Sequence, residues 1–451
     1  MIFAFIFFFI VFSSIFYITY VCIFVFFKTK VEYIKANLYI IIPIYCVFCW
    51  AMYYVVIGDF FKYVAYDFTN YYYCGKQVLK DPMNLYNPNI INEGLSYGYK
   101  YLPSFAIFIG IPISFIPIEW GYRIFYIVNI LFGVVFTILF NQVLRLMNLK
   151  NKIHRFLFLI VISNGWLVLQ LYDNNQLKYL IGLIILFVIK RELQFKANDL
   201  KKDLKYYTIH YNLLIFIVGM APYFIFLLLI YLFHDIPKKV LIKTINIKKY
   251  CIIIASFIAQ NFLFVLYPRL IFEFYAMYLR ELKRVDSKLK HFYVEYLIDN
   301  FIFLSNTQKS FISITMNIIL YIIVLILVFN KRMELTEKFG IYSVSTLVLN
   351  YIAYRISLIL FPLICLLFIP YLNQDKKGLD FIKKNKTIFI ALISILLLYL
   401  TPNKNALQYP YFEGVYLFCL FYAIILVSCV LILYIKHEKF LKNNNNKKSY
   451  F

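Results

Sequence analysis

Apolar residues run along this chain in blocks of roughly twenty, each long enough to cross about 30 Å of hydrocarbon as a helix. The blocks fall at 1–27, 38–57, 104–118, 121–144, 155–172, 177–190, 211–234, 250–268, 311–330, 340–371, 387–401 and 412–436. The 340–371 block is long enough for two short helices with a break near Tyr354 and Arg355. The pattern predicts an all-α chain, a polytopic bundle of about twelve or thirteen membrane helices. Met1–Phe27 lacks a basic start and a small-residue cleavage site, so it reads as a retained helix and not as a signal peptide.

Two stretches interrupt the apolar blocks for longer than a tight turn: a first loop at 58–103 and a second at 269–310. One domain is expected over 1–441, followed by a disordered basic tail at 442–451 that begins KNNNNKK. If Lys28 to Lys35 is cytoplasmic, the first loop faces outside. Counting back from a cytoplasmic C-terminus puts the second loop on the same outer face. The basic loops at 145–155 and 191–208 also prefer the inside, which simple alternation denies them. A hairpin at Pro222 within 211–234 returns 191–208 to the inside, and one further crossing before residue 145 is then still required.

Composition agrees with this picture. The 451 residues are 63% hydrophobic and 15% charged, with a mean hydropathy of +0.75, outside the range of soluble domains. The net charge of +24 would suit a nucleic-acid partner, yet the lysines gather at the ends of apolar blocks. Positive-inside bias and anionic headgroups place them there, so no nucleic acid is expected. Interfacial anchoring accounts for many of the 43 tyrosines. Cys46 and Cys49 have CxxC spacing inside an apolar block and read as packing residues. The 5 histidines form no paired ligand motif, and no metal is expected.

The first loop, GDFFKYVAYDFTNYYYCGKQVLKDPMNLYNPNIINEGLSYGYKYLPS from Gly58, carries the candidate chemistry. Asp67 sits a short way outside a span, solvated enough to ionise and close enough to reach a cavity between helices, as a general base requires. Asp59 is its competitor or partner, or a boundary residue. If this part is helical, Asp67 and Tyr71 lie four apart on one face. Tyr71, Tyr72 and Tyr101 could stack on a sugar, although interfacial anchoring explains such tyrosines equally well.

Asp67-Phe68, Tyr71-Tyr72, Gly75, Leu79, Leu85-Tyr86, Tyr101-Leu102-Pro103, Phe105-Ala106, Pro112 and Pro117 together resemble a known pattern. It is that of the polyprenyl-phosphate-mannose-dependent glycosyltransferases, multi-spanning membrane proteins of the GT-C type. Trp120 and Asn129 fall where that family has a Trp and an Asn. Asn175-Gln176 looks like its Gly-Gln element, and Asn306 to Ser310, with Gln308, like its N-Q-S element. Two positions depart: Ala221-Pro222 stands for the family's Lys-Pro, and Asn350, Tyr354 and Arg355 stand where it has Trp-x-His-His.

The resemblance implies a hexosyltransferase, with mannose the family's usual sugar. The donor would be a polyprenyl- or dolichyl-phosphate sugar, the acceptor lipid-linked or a glycan, at the outer face of a cell membrane. Transfer would be inverting, with Asp67 as base and Asp59 as substitute or partner. No cofactor is implied, since a lipid-bound donor needs no nucleotide cradle, and none of the 13 glycines forms one. Cations for the departing phosphate are sought at Lys100, Arg269, Arg280, Arg284 and Arg355. Arg355 interrupts an apolar block, which suits a functional cation or an arginine snorkelling at a helix break. Arg280, Arg284 and Lys288 share one face of an amphipathic stretch suited to the membrane surface. The alternative function is a transporter or a lipid-linked oligosaccharide flippase, which would need buried charge in several helices.

Overall fold

The computed structural model describes residues 28–57, 64, 66–87, 99, 101–163, 177–234, 244–283, 306–330, 333–349, 362–367 and 369. Among them every regular element is helical, so the chain is all-α in this part. The apolar blocks at 1–27, 387–401 and 412–436 and the 442–451 tail lie outside the described residues. The chain divides into two compact units, one of Met1–Asp286 with Leu327–Leu335, the other of Ser287–Ile326 with Thr336–Phe451.

In the first unit, α1 (Lys28–Ile57) carries the first described apolar block and includes Pro43. The first loop is itself partly helical, because α2 spans Tyr66–Lys80. The chain re-enters apolar sequence as α3 (Pro103–Ser114). Its middle, Ala106–Gly110, widens into a π-helical turn, a rare form that recurs at functional sites. Next come α4 (Ile118–Leu146), α5 (Lys152–Ile162), α6 (Lys178–Ala197) and α7 (Leu204–Met220).

Local sequence dictates the α4–α5 and α6–α7 turns. Asn148 takes φ 62° after α4, and the Leu149 N–H reaches back to the Leu144 carbonyl at 3.0 Å. That is a Schellman ending with asparagine at the left-handed position. Asn151 then caps α5, its side chain accepting from the Ile153 N–H at 2.8 Å. The α6–α7 turn repeats the device: Asp199 has φ 49°, Leu200 N–H meets the Phe195 carbonyl at 2.9 Å, and Asp203 caps α7 through Tyr206 N–H.

Pro222 ends α7, since a residue before proline leaves the helical region, and Ala221 is extended at φ −156°. After one 3₁₀ turn, α8 (Ile225–His234) folds back along α7. Tyr231 of α8 lies beside His210 and Tyr211 of α7, ring centroids 5.6 Å apart in each case, which is a helical hairpin about Pro222. The unit continues through α9 (Thr244–Gln260), the short α10 (Phe262–Leu266) and α11 (Arg269–Lys283). The most extensive helix–helix packing joins α4 to α6 and α7 to α9.

The second unit holds most of α12 (Asn306–Phe329), which carries the 311–330 block, and most of α13 (Leu335–Leu349). α13 packs on 362–367, and a Cβ at Gly340 would press on Leu367 and the Leu363 carbonyl.

One described helix, α4, is long and apolar enough to cross a membrane, and Leu38–Met52, Pro103–Ser114, Ile225–His234 and Ile318–Phe329 are shorter apolar helices. α4 exposes an apolar stripe and buries polar side chains among Phe125, Tyr126, Phe136 and Phe140. Trp120, Ile124, Ile127, Leu131 and Val135 form an exposed apolar stripe, whereas Asn129, Thr137 and Asn141 are buried. α9 does the same, exposing Ile254, Phe257 and Ile258 and burying Ser256 and Gln260.

Candidate active site

Asp67 lies in the first turn of α2, where the positive end of the helix dipole favours a carboxylate. It is half-buried. Helical geometry over Tyr66–Lys80 does put Asp67 and Tyr71 on one face, four residues apart. Asn70, one turn from Asp67, is 4% exposed, and its Oδ1 has no hydrogen-bond partner among the described residues.

What seats α2 is a glycine contact. A Cβ on Gly75 would overlap the carbonyl of Gly110, and one on Gly110 would press on Cys74 Sγ and the Tyr71 carbonyl. α2 therefore crosses the π-helical turn of α3 backbone against backbone, a closeness open only to glycine. Cys74 donates its thiol to the Tyr71 carbonyl at 3.0 Å. Burial pushes the Cys74 thiol far above its ordinary range, with the backbone hydrogen bonds opposing the shift.

Aromatic rings fill the space around this crossing. Tyr71 and Tyr72 are buried. Tyr71 meets Phe105 at 4.9 Å, Tyr101 at 5.8 Å and Phe125 at 5.9 Å between centroids. Phe68 meets Phe125 and Tyr122 of α4 at 5.3 and 5.4 Å. Such edge-on pairs add to their area burial and set ring orientation. Tyr101 is half-buried at the rim of the group.

The polar middle of the first loop turns back on itself. Asp81 accepts from Met83 N–H and from Asn84 Nδ2, Gln77 donates to the Asp81 carbonyl, and Asn87 donates to Asn84 Oδ1. Tyr86, 2% exposed, then donates to the Tyr101 carbonyl at 2.8 Å. Tyr99 donates to the Leu102 carbonyl at 2.7 Å. Burial raises both hydroxyls well above the ordinary tyrosine range, with neighbouring groups adding to the shift.

The Tyr101-Leu102-Pro103 return is fixed from the other side as well. Leu102 N–H donates to the Gly219 carbonyl at 3.0 Å, and Ser104 N–H donates to Asn261 Oδ1 at 3.1 Å. A Cβ at Gly219 would overlap Ser104 Oγ. Thus the end of α7, just before Ala221-Pro222, and the α9–α10 junction converge on the entry to α3.

The candidate residues are therefore placed as follows. Asp67, Tyr71 and Tyr72 share α2, Tyr71 meets Tyr101, and Asn129 is buried on α4. Asn306 and Gln308 open α12. Arg269 is an exposed cation at the start of α11, 2.8 Å from Glu273, and Arg280 lies further along that helix. Asp59, Lys100, Asn175, Gln176, Arg284, Lys288 and Arg355 lie outside the described residues. Among the described residues no three His, Cys, Asp or Glu side chains are placed to hold a metal ion.

A second polar group was not expected from the sequence. Glu192 of α6, 8% exposed, accepts from Tyr206 at 2.7 Å, from Tyr231 at 2.9 Å and from Lys202 at 2.5 Å. Because Tyr231 spends its proton on Glu192, it accepts from His210 Nδ1 at 2.6 Å. The only sequence signal was the spacing of Glu192, Tyr206 and His210 around a turn whose capping residues make it tight.

Compared with known proteins, the chain matches no family model, no curated protein and no solved structure.

Proposed function

We propose that the chain is a multi-pass membrane glycosyltransferase of the GT-C kind. It would move a hexose, with mannose the first choice, from a polyprenyl- or dolichyl-phosphate donor to a lipid-linked or glycan acceptor at the outer face of the cell membrane. The observation that carries this reading is the seating of Asp67. A half-buried carboxylate is held at a helix N-terminus by a glycine crossing and a ring of aromatics. The return segment of the same loop is tied to the ends of two other helices.

Helices that bury asparagine, threonine, serine and glutamine and expose isoleucine and phenylalanine support the membrane setting. The α7–α8 hairpin about Pro222 supports the topology in which the 191–208 loop returns to the basic side.

In the proposed reaction Asp67 takes the proton of the acceptor hydroxyl as its oxygen attacks the anomeric carbon. The bond from that carbon to the lipid phosphate breaks, and its electron pair leaves with the phosphate, inverting the centre. Asp59 is the alternative base or its partner. Tyr71 and Tyr72 position the helix that bears Asp67, and Tyr101, at the rim, offers a ring to the sugar. Asn175, Gln176, Asn306, Gln308, Lys100 and Arg355 remain the proposed donor and phosphate contacts. The test compares transfer from a radiolabelled polyprenyl-phosphate mannose by membranes bearing wild type, Asp67→Asn or Asp59→Asn at equal expression. Loss confined to Asp67→Asn supports the assignment, and full activity of Asp67→Asn overturns it.

One observation favours the second reading, a transporter or flippase. The described residues bury more charge than the apolar pattern suggested: Glu192, Lys249 and Lys338, with His210 beside Glu192, are each less than a tenth exposed.

A further inference from the structure

We infer that the start of α5 is a binding site for a phosphate group, as a phosphomonoester or phosphodiester, on the face opposite the candidate active loop. The inference concerns binding alone and does not depend on the transferase reading.

Arg155 is 6% exposed. Its Nε makes no hydrogen bond, and no carboxylate pairs with it among the described residues. Its guanidinium lies 4.8 Å from the centroid of the Tyr39 ring on α1, and the Lys152 ammonium lies 5.9 Å from the same ring. A cation–π contact recovers only part of what a guanidinium loses on leaving water, and a buried cation calls for an anion.

The protein supplies none nearby in sequence, since no Asp or Glu occurs between Glu119 and Asp173. Cations abound instead: Lys152 opens the same helix as Arg155, and Lys28, Lys30 and Lys35 outnumber Glu32 at the start of α1. His154 adds a buried Nδ1 without a hydrogen bond. Arg155 is the fourth residue of α5, and a side chain there leans toward the helix N-terminus. That terminus is the positive end of the dipole, where amides favour an anion.

Phosphate fits this set better than a carboxylate does. The guanidinium fork binds two of its oxygens, while helix-end amides that the Asn151 cap leaves open take the others. An anionic lipid headgroup and free phosphate share this chemistry.

The test uses the full-length protein. Inorganic phosphate is titrated in a neutral detergent, and separately the protein is placed in phosphatidylcholine nanodiscs with or without phosphatidylglycerol. The thermal midpoint is read in each case. Wild type is expected to gain stability with the anion. Arg155→Gln loses that gain, and Lys150→Gln, an exposed lysine, keeps it. A gain with phosphatidylglycerol alone assigns a lipid headgroup, and a gain with phosphate as well assigns the phosphate itself. No gain in wild type, an undiminished gain in Arg155→Gln, or an equal loss in Lys150→Gln overturns the site. Phenylglyoxal modification of wild type gives a readout that needs no variant. The anion should slow modification of Arg155 and not of the exposed Arg145, and equal rates at both with and without anion overturn the inference.

Discussion

At the residue scale, Asp67 and Gly75 show what a sequence conveys and what it withholds. That Asp67 and Tyr71 share a face was legible, because a four-residue spacing means contact once the segment is helical. That Gly75 touches Gly110 was not, since each glycine acquires its meaning from the other across 35 positions. Gly75→Ala is expected to cost about 3 kcal/mol or more, because the new methyl meets backbone that cannot step aside. Thermal unfolding of the variant checks this, and a midpoint equal to wild type would mean that the helices do not cross there. Arg155 and Glu192 were illegible for a related reason. Both stand near loop ends among lysines, where the same letters normally mark solvated anchors, and only the pairing of helices buries them. Glu192→Gln should destabilise by about 1–3 kcal/mol, since the amide still accepts from the tyrosines but leaves Lys202 without its counter-charge. An unchanged denaturation midpoint would show that the three donors do not need the carboxylate.

At the element scale, the folded first loop is the main addition to the sequence picture. The turn at Asp81-Pro82-Met83-Asn84 was readable as a turn, for aspartate before proline starts one. Its consequence, Tyr86 delivered beneath Tyr101, depends on packing against Phe264 and Phe274 that no local pattern specifies. Cys74, Tyr86 and Tyr99 all have ionisations raised by burial. Raised values mean that the unfolded chain ionises first, so the stability these groups contribute is whole at neutral pH and drains away as pH rises. The thermal midpoint should therefore fall from about pH 8.5 upward, where free thiols and then, near pH 10, free tyrosines ionise. In a Tyr86→Phe, Tyr99→Phe double variant that fall should be shallower. An identical slope would place the sensitivity elsewhere. The α7–α8 hairpin belongs at this scale too: Pro222 marked the break, and the return direction came from Tyr231 meeting His210.

At the scale of the whole molecule, siding and charge tell one story. Helices that expose apolar stripes and bury some polar side chains in a mainly apolar core, joined by basic turns, suit a bilayer, and the protein is expected to stay with membranes through an alkaline carbonate wash. Release into the supernatant would contradict that setting. Asp67 lies on the helical part of the first loop, in the first turn of α2. The apolar blocks made the helical class legible from the start. Which loops share a face could only be argued from lysine placement, because alternation fails wherever a block such as 211–234 hides a hairpin.

The proposed activity is sugar transfer from a lipid-phosphate donor. The most direct measurement places the purified protein in liposomes with polyprenyl-phosphate mannose and a panel of lipid and glycan acceptors. Product formation and its anomeric configuration are then followed by NMR. Transfer with inversion is expected, falling by about 10²–10⁴-fold in Asp67→Asn. Passage of the lipid donor across the bilayer without any transfer would contradict it and leave transport as the function.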